Sequence, residues 1–192
     1  PVSQLILATN ENDILSRFFK TGKYESALVA KTTSPSMDIQ VASNFERFLY
    51  VLLDGDSTKV CDVMSEFTDT GSVDLSRYLN HAALQLVTAD RADTHQTKNM
   101  IKIVRAQYGY LLDPHTAVGV AVGRLYQNGD PLICLATAHP GKFVDAIVDA
   151  VGEVPRHPVL DALKGSETRC EKLPADLESV RNYITQKLKE SC

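Results

Sequence analysis

Two apolar runs that each end in a polar corner and open onto a helix, set among stretches of helical period, predict a helix-rich α/β fold. Few strands are expected in it. The first run is QLILATN (Gln4–Asn10), followed by ENDILSRFFKTG; the second is PLICLATAHP (Pro131–Pro140), followed by GKFVDAIVDAVG. Short runs of this kind read as buried strands, and a strand joined to a helix by a polar turn is the unit of α/β folds. No internal repeat or low-complexity linker interrupts the pattern.

The elements follow in order. In ENDILSRFFKTG, Ile14, Leu15, Phe18 and Phe19 recur at helical spacing, Asn10 or Asn12 suits the cap, Glu11 and Asp13 suit the dipole, and Gly22 ends the helix. Glu25–Thr33 reads as a weak strand or extended segment. Pro35 suits a first helical turn with Ser34 as cap, and one helix is expected from there through Ile39, Val41, Phe45, Phe48, Leu49, Val51 and Leu52, stopped by Asp54-Gly55. A short helix is expected over Lys59–Phe67 and a polar turn over Thr68–Leu75. Arg77–Thr88 fits either a helix end or a strand, and Ala89–Gln96 is polar. Thr97–Tyr108 is amphipathic, and DPHTAVGVAVGRL (Asp113–Leu125) is a capped apolar helix. Gly141–Gly152 is helical, HPVLDALKG gives a short helix, and Leu177–Leu188 a last one, with Leu177, Val180, Tyr183, Ile184 and Leu188 on one face.

Composition narrows the class. At 192 residues, 44% apolar and 23% charged, the chain suits one globular domain with a sizeable core. Acidic residues outnumber basic ones 24 to 20, for a net charge of -4, which argues against nucleic acid as a partner. No apolar run nears the roughly 18 residues a membrane span needs. Cys61, Cys134, Cys170 and Cys192 form no CxxC, so idle thiols in a reducing compartment are expected rather than disulfides, and with them a cytoplasmic location. The chain opens on Pro1 without an initiator methionine and soon enters QLILAT, so residues upstream of it are expected.

Four polar corners precede helices: ATNEND, TTSPSMD, LDPHT and ATAHPGK. Asn10, Ser34, Asp113 and Thr137 suit them as caps, each contributing about 1 kcal/mol. Gathered at one sheet edge, the same helix starts would form an anion or cofactor cleft. His115 and His139 sit in two of the corners, each beside a proline, and a structural hydrogen-bonding role suits them better than a base. Zinc-ligand pairs, GxSxG, GxxxxGK and GxGxxG are all absent.

Taken together the corners carry a resemblance that none carries alone. LILATNENDILSRFFKTG, TTSPSMDIQVASNFERFLY, DPHTAVGVAV, LATAHPGKF and ETRCEKLP resemble, in order, landmarks of the longer bacterial and fungal form of threonine synthase. The similarity spans nearly the whole chain and is least marked at about 56–98. It implies the C-terminal portion, over residues 1–192, of a pyridoxal 5'-phosphate (PLP) enzyme of fold-type II, the tryptophan synthase β-subunit group. The reaction it implies turns O-phospho-L-homoserine and water into L-threonine and phosphate. In that family the Schiff-base lysine and the loop holding the cofactor phosphate lie in an N-terminal half expected upstream, so no catalytic lysine is assigned here, Lys142 included, and the chain alone is expected to be inactive.

The resemblance also implies roles. Thr137 matches the hydroxyl residue that hydrogen-bonds the pyridine nitrogen, while Thr9, Asn10 and Asn12 border the cofactor. Ser34 and Ser36 are candidates for the substrate or its phosphate. Asp113 and His115 are expected to buttress Thr137 from behind. Two alternatives stand beside this reading: a threonine synthase-like phospho-lyase with another product, and a non-catalytic domain that binds a protein partner through an exposed apolar face.

Overall fold

The computed structural model describes residues 2–190, which divide into two compact units, residues 2–157 and residues 158–190. In the first unit, strand β1 (Leu5–Thr9) leads into helix α1 (Ile14–Thr21). Gly22 ends α1 in the left-handed region, at φ 75, with its amide returned to the Phe18 carbonyl. The cap position falls to Asp13 rather than to Asn10 or Asn12, and no side chain caps the helix. Two short strands follow at a distance in sequence, β2 (Lys23–Glu25) and β3 (Ser72–Asp74), paired antiparallel. Between them lie α2 (Phe45–Leu52) and α3 (Ser57–Thr70). These elements close around Phe18, Tyr24, Phe45, Leu49 and Phe67. Tyr24 stacks on Phe45 at 4.0 Å between centroids, and its hydroxyl accepts the Ala42 amide at 2.9 Å.

The single helix expected from Pro35 to Leu52 is interrupted. Pro35–Met37 makes one 3-10 turn, and an irregular stretch precedes α2. Two side chains are drawn elsewhere: Asp38 accepts from Thr32, and Gln40 accepts the Ala27 amide. Glu25–Thr33 is strand only at its first residue and runs on without a ladder. Both readings of 77–88 hold in part, since α4 (Ala82–Gln85) is followed at once by β4 (Val87–Arg91). β4 lies parallel to β1, with Leu5 opposite Val87 and Thr9 opposite Arg91.

α5 (Thr94–Tyr108) begins with a capping box between Asp93 and Gln96. α6 (Pro114–Gly123) is the central helix. Ala117 packs with Ile101 and Val104 of α5 and with Ile147 and Ala150 of α7 (Val144–Val151). Val118 and Val122 meet Ile6 and Ala8 of β1 on the other side. A helix apolar all round has to be enclosed in this way.

The run 131–138 is not a strand. Its residues form no ladder, and Ile133 and Leu135 are 85% and 78% exposed. A strand needs a neighbouring edge to satisfy its amides, and no strand among the described residues lies beside this one. Leu132 and Cys134 instead rest against Gly123, where a side chain would crowd the Leu132 methyl at 3.0 Å. Cys61, Cys134 and Cys170 are free thiols, Cys61 and Cys170 exposed; Cys192 lies outside the described residues.

The second unit holds α8 (Pro158–Ala162) and α9 (Leu177–Glu190). On the expected α9 face, Leu177 and Leu188 are 74% and 64% exposed.

Candidate functional site

β1 ends where the site begins. Asn10 and Asn12, 1% and 3% exposed, turn their amides onto the extended segment that follows β2. The Asn10 amide nitrogen donates to Thr32 Oγ1 (2.9 Å), Ser34 Oγ (3.0 Å) and Asp38 Oδ1 (2.8 Å), and its oxygen accepts the Asn12 amide at 2.8 Å. Asn12 pairs with both backbone groups of Ala30, at 2.9 and 2.8 Å. Thr32 closes the knot on Asp38 at 2.6 Å. A buried polar group has to be paired, and here a segment without a ladder is held by side chains. Asn10, Asn12 and Ser34 are thus brought together, but they are enclosed and occupied with one another. Thr9 is 7% exposed, and its hydroxyl has no hydrogen-bond partner.

The second part is the α6 start. Asp113, 2% exposed, caps α6 by accepting the amides of His115 (2.9 Å) and Thr116 (3.2 Å) on Oδ1, while its Oδ2 accepts the Thr116 hydroxyl. His115 Nε2 accepts the Ser36 amide at 3.1 Å. A nitrogen that accepts carries no proton, so the neutral ring holds its proton on Nδ1, 3.4 Å from Asp113 Oδ1 and without an aligned hydrogen bond. The ring also leans on Phe143, 4.6 Å between centroids. Burial pushes the His115 pKa below its ordinary value; Asp113 and Asp38 oppose the shift, and Lys142 adds to it.

Thr137 caps no helix. It is exposed, and its amide donates to Thr116 Oγ1 at 3.2 Å. His139 is the residue that caps the 3-10 turn Pro140–Lys142, through Nδ1 to the Gly141 amide at 3.0 Å. Ser36 is exposed as well. A cavity of about 410 Å³ lies beside these residues, lined by Thr32, Thr33 and Pro35 on one side and Lys142, Phe143 and Asp145 on the other.

Asp113, His115, Ser36 and Thr137 therefore meet at one corner, and Ser34 joins that corner to the asparagine knot through the chain itself. Sequence reasoning assigned no role to Thr32, Thr116 or Phe143, and gave Asp38 only a place at the helix start capped by Ser34. A hydroxyl three residues after an Asp cap, as Thr116 is after Asp113, was the signal that a second bond to the cap carboxylate forms there.

Residues 116–184 match the family model described as threonine synthase, C-terminal. The threonine synthase of Corynebacterium glutamicum is 42% identical, the match covering 96% of this chain and 40% of that protein. The crystal structure of PLP-bound threonine synthase from Brucella melitensis superposes with a TM-score of 0.87 at 41% identity, covering 97% of this chain and 40% of that one. Yeast threonine synthase gives a TM-score of 0.81 at 34% identity, with 99% and 43% covered. The chain spans about 40% of the length of the curated relatives it matches. Residues 116–184 are therefore similar to the C-terminal domain of threonine synthase, and the chain is similar to part of these threonine synthases along nearly its whole length.

Proposed function

We propose that this chain serves as the C-terminal part of a cytoplasmic threonine synthase, in the PLP-dependent conversion of O-phospho-L-homoserine and water to L-threonine and phosphate. The observation that carries the reading is the placement of Thr137. The position that the resemblance assigns to the pyridine nitrogen is exposed, its hydroxyl makes no hydrogen bond among the described residues, and its backbone is held by a buried corner. A free hydroxyl on a fixed backbone fits a ring nitrogen that accepts a hydrogen bond. The unpartnered Thr9 hydroxyl at the end of β1 fits a polar ligand beside it.

Bound against Thr137, the cofactor would supply an electron sink for loss of phosphate and addition of water. Thr137 donates to the ring without giving it a full proton, because a hydroxyl is too weak an acid. Asp113 and Thr116 hold the Thr137 backbone from behind. Ser36, with its amide tied to His115, faces the substrate side, and Lys142 gives the adjoining cavity a cation suited to a phosphate ester. Asn10, Asn12 and Ser34 act at one remove, by fixing the loop that carries Ser36. The lysine that binds the cofactor is none of those in this chain. No helix among the described residues is long and apolar enough to cross a membrane.

A chimera tests the proposal: this chain replaces the matching segment of the C. glutamicum enzyme, and threonine and phosphate are both measured. Threonine formation is expected, with a loss of at least about 100-fold in kcat for Thr137→Ala, the size of a lost electrostatic contact to the reacting system. Phosphate released without threonine would identify a phospho-lyase. A folded, PLP-loaded chimera that releases neither product refutes the proposal.

A further inference from the structure

The segment 131–138 carries Thr137 but has no ladder to place it. Among the described residues, its hydrogen bonding reduces to one contact, the Thr137 amide on Thr116 Oγ1 at 3.2 Å. Leu132 and Cys134 rest against Gly123, which sets the depth of the segment but not the direction in which Thr137 points. Thr116 in turn has no freedom. Its side chain is 5% exposed, its hydroxyl proton is given to Asp113 Oδ2, and its own amide is bound to Asp113 Oδ1 at 3.2 Å. Donating to the carboxylate leaves the hydroxyl oxygen's lone pairs for the Thr137 amide, so the acceptor is oriented before the loop arrives.

We propose that Thr116 is the positioning residue for Thr137, transmitting the rigidity of the Asp113-capped helix α6 to the exposed hydroxyl. This inference rests on the cofactor reading of Thr137. Thr116 touches neither cofactor nor substrate and acts through one backbone bond.

Two measurements test it. Amide hydrogen exchange is read on the 192-residue chain without cofactor, comparing Thr116→Val with Thr116→Ser. Valine keeps the shape and removes the acceptor; serine keeps the acceptor. Exchange at Thr137 should quicken at least about tenfold in Thr116→Val and stay near wild type in Thr116→Ser. The Ala117 amide, bound to the Asp113 carbonyl at 2.9 Å, should keep its protection in both.

The second measurement is PLP affinity of the chimera, which Thr116→Val should weaken at least about tenfold and Thr116→Ser restore. Unchanged Thr137 exchange in Thr116→Val overturns the positioning role. Lost protection with unchanged PLP affinity overturns its link to the cofactor. A wild-type chimera that holds no PLP overturns instead the reading on which the inference rests, and exchange on the chain alone still reports whether the bond exists.

Discussion

Replacing Asp113 separates its two duties. Asp113→Ala removes the acceptor for the His115 and Thr116 amides, a cap whose loss costs about 1 kcal/mol. It also strips the acceptor from the hydroxyl of Thr116, a residue that is 5% exposed. An orphaned buried donor adds about 1–3 kcal/mol, so the total is about 2–4 kcal/mol. Asp113→Asn keeps the cap, since asparagine caps as well as aspartate. Its amide nitrogen at the Oδ2 position meets the Thr116 hydroxyl as a donor, and the cost there is about 1 kcal/mol. The assay is urea unfolding followed at the amide signals of Ala117 and Val118, inside α6, so that the second unit does not enter the transition. Asp113→Ala within about 0.5 kcal/mol of wild type, the range of ordinary surface changes, would refute the reasoning; equal costs for Asn and Ala would refute the division into two duties.

Other outcomes follow from the same geometry. Gly22→Ala should cost more than about 2 kcal/mol, because φ 75 is strained for alanine and the new Cβ falls 2.4 Å from Ser76 Cα. Gly109→Ala, at φ 68 with nothing within 4 Å, should cost only the strain of about 1–2 kcal/mol; equal losses in the two urea midpoints would rule out the steric part. His115 gives a pH dependence. Its folded pKa lies below the ordinary 6.5, so the unfolded chain binds more protons between the two values. Its contribution is present above the unfolded pKa and is lost as pH falls from there toward the folded one. Below the folded value the protonated Nε2 can no longer accept the Ser36 amide. Urea midpoints measured on either side of pH 6.5 should show a slope that His115→Gln flattens; an unchanged slope would assign the proton uptake elsewhere.

Much of the fold is legible because it is local. The Asp113 cap of α6, the Gly22 stop and the periods of α1, α5 and α7 are all written within a few residues of where they act. β4 was hidden because its residues Asp90 and Arg91 are polar, serving Lys20, Tyr126 and Asp13 across the fold. The run 131–138 has strand character in its side chains and no neighbour to express it against, so periodicity overstated it. At the site, the corners were visible but not their pairing. That Asn10 reaches Asp38, or that His115 reaches Ser36, depends on contacts 28 and 79 residues apart in sequence, and no local pattern encodes them.

The asparagine knot has a consequence for how such a chain can change. Asn10, Asn12, Thr32 and Asp38 are matched donor to acceptor. Turning Asn10 into aspartate would set two carboxylates face to face, and losing Asp38 would take one acceptor from the Asn10 and Asn12 side-chain amides and from the Thr32 hydroxyl, and leave the Thr32 backbone amide without any. None of the four can drift alone, so they form a single unit of variation. A change at the end of β1 is then a change in the course of the loop that carries Ser36, made without altering any residue of that loop.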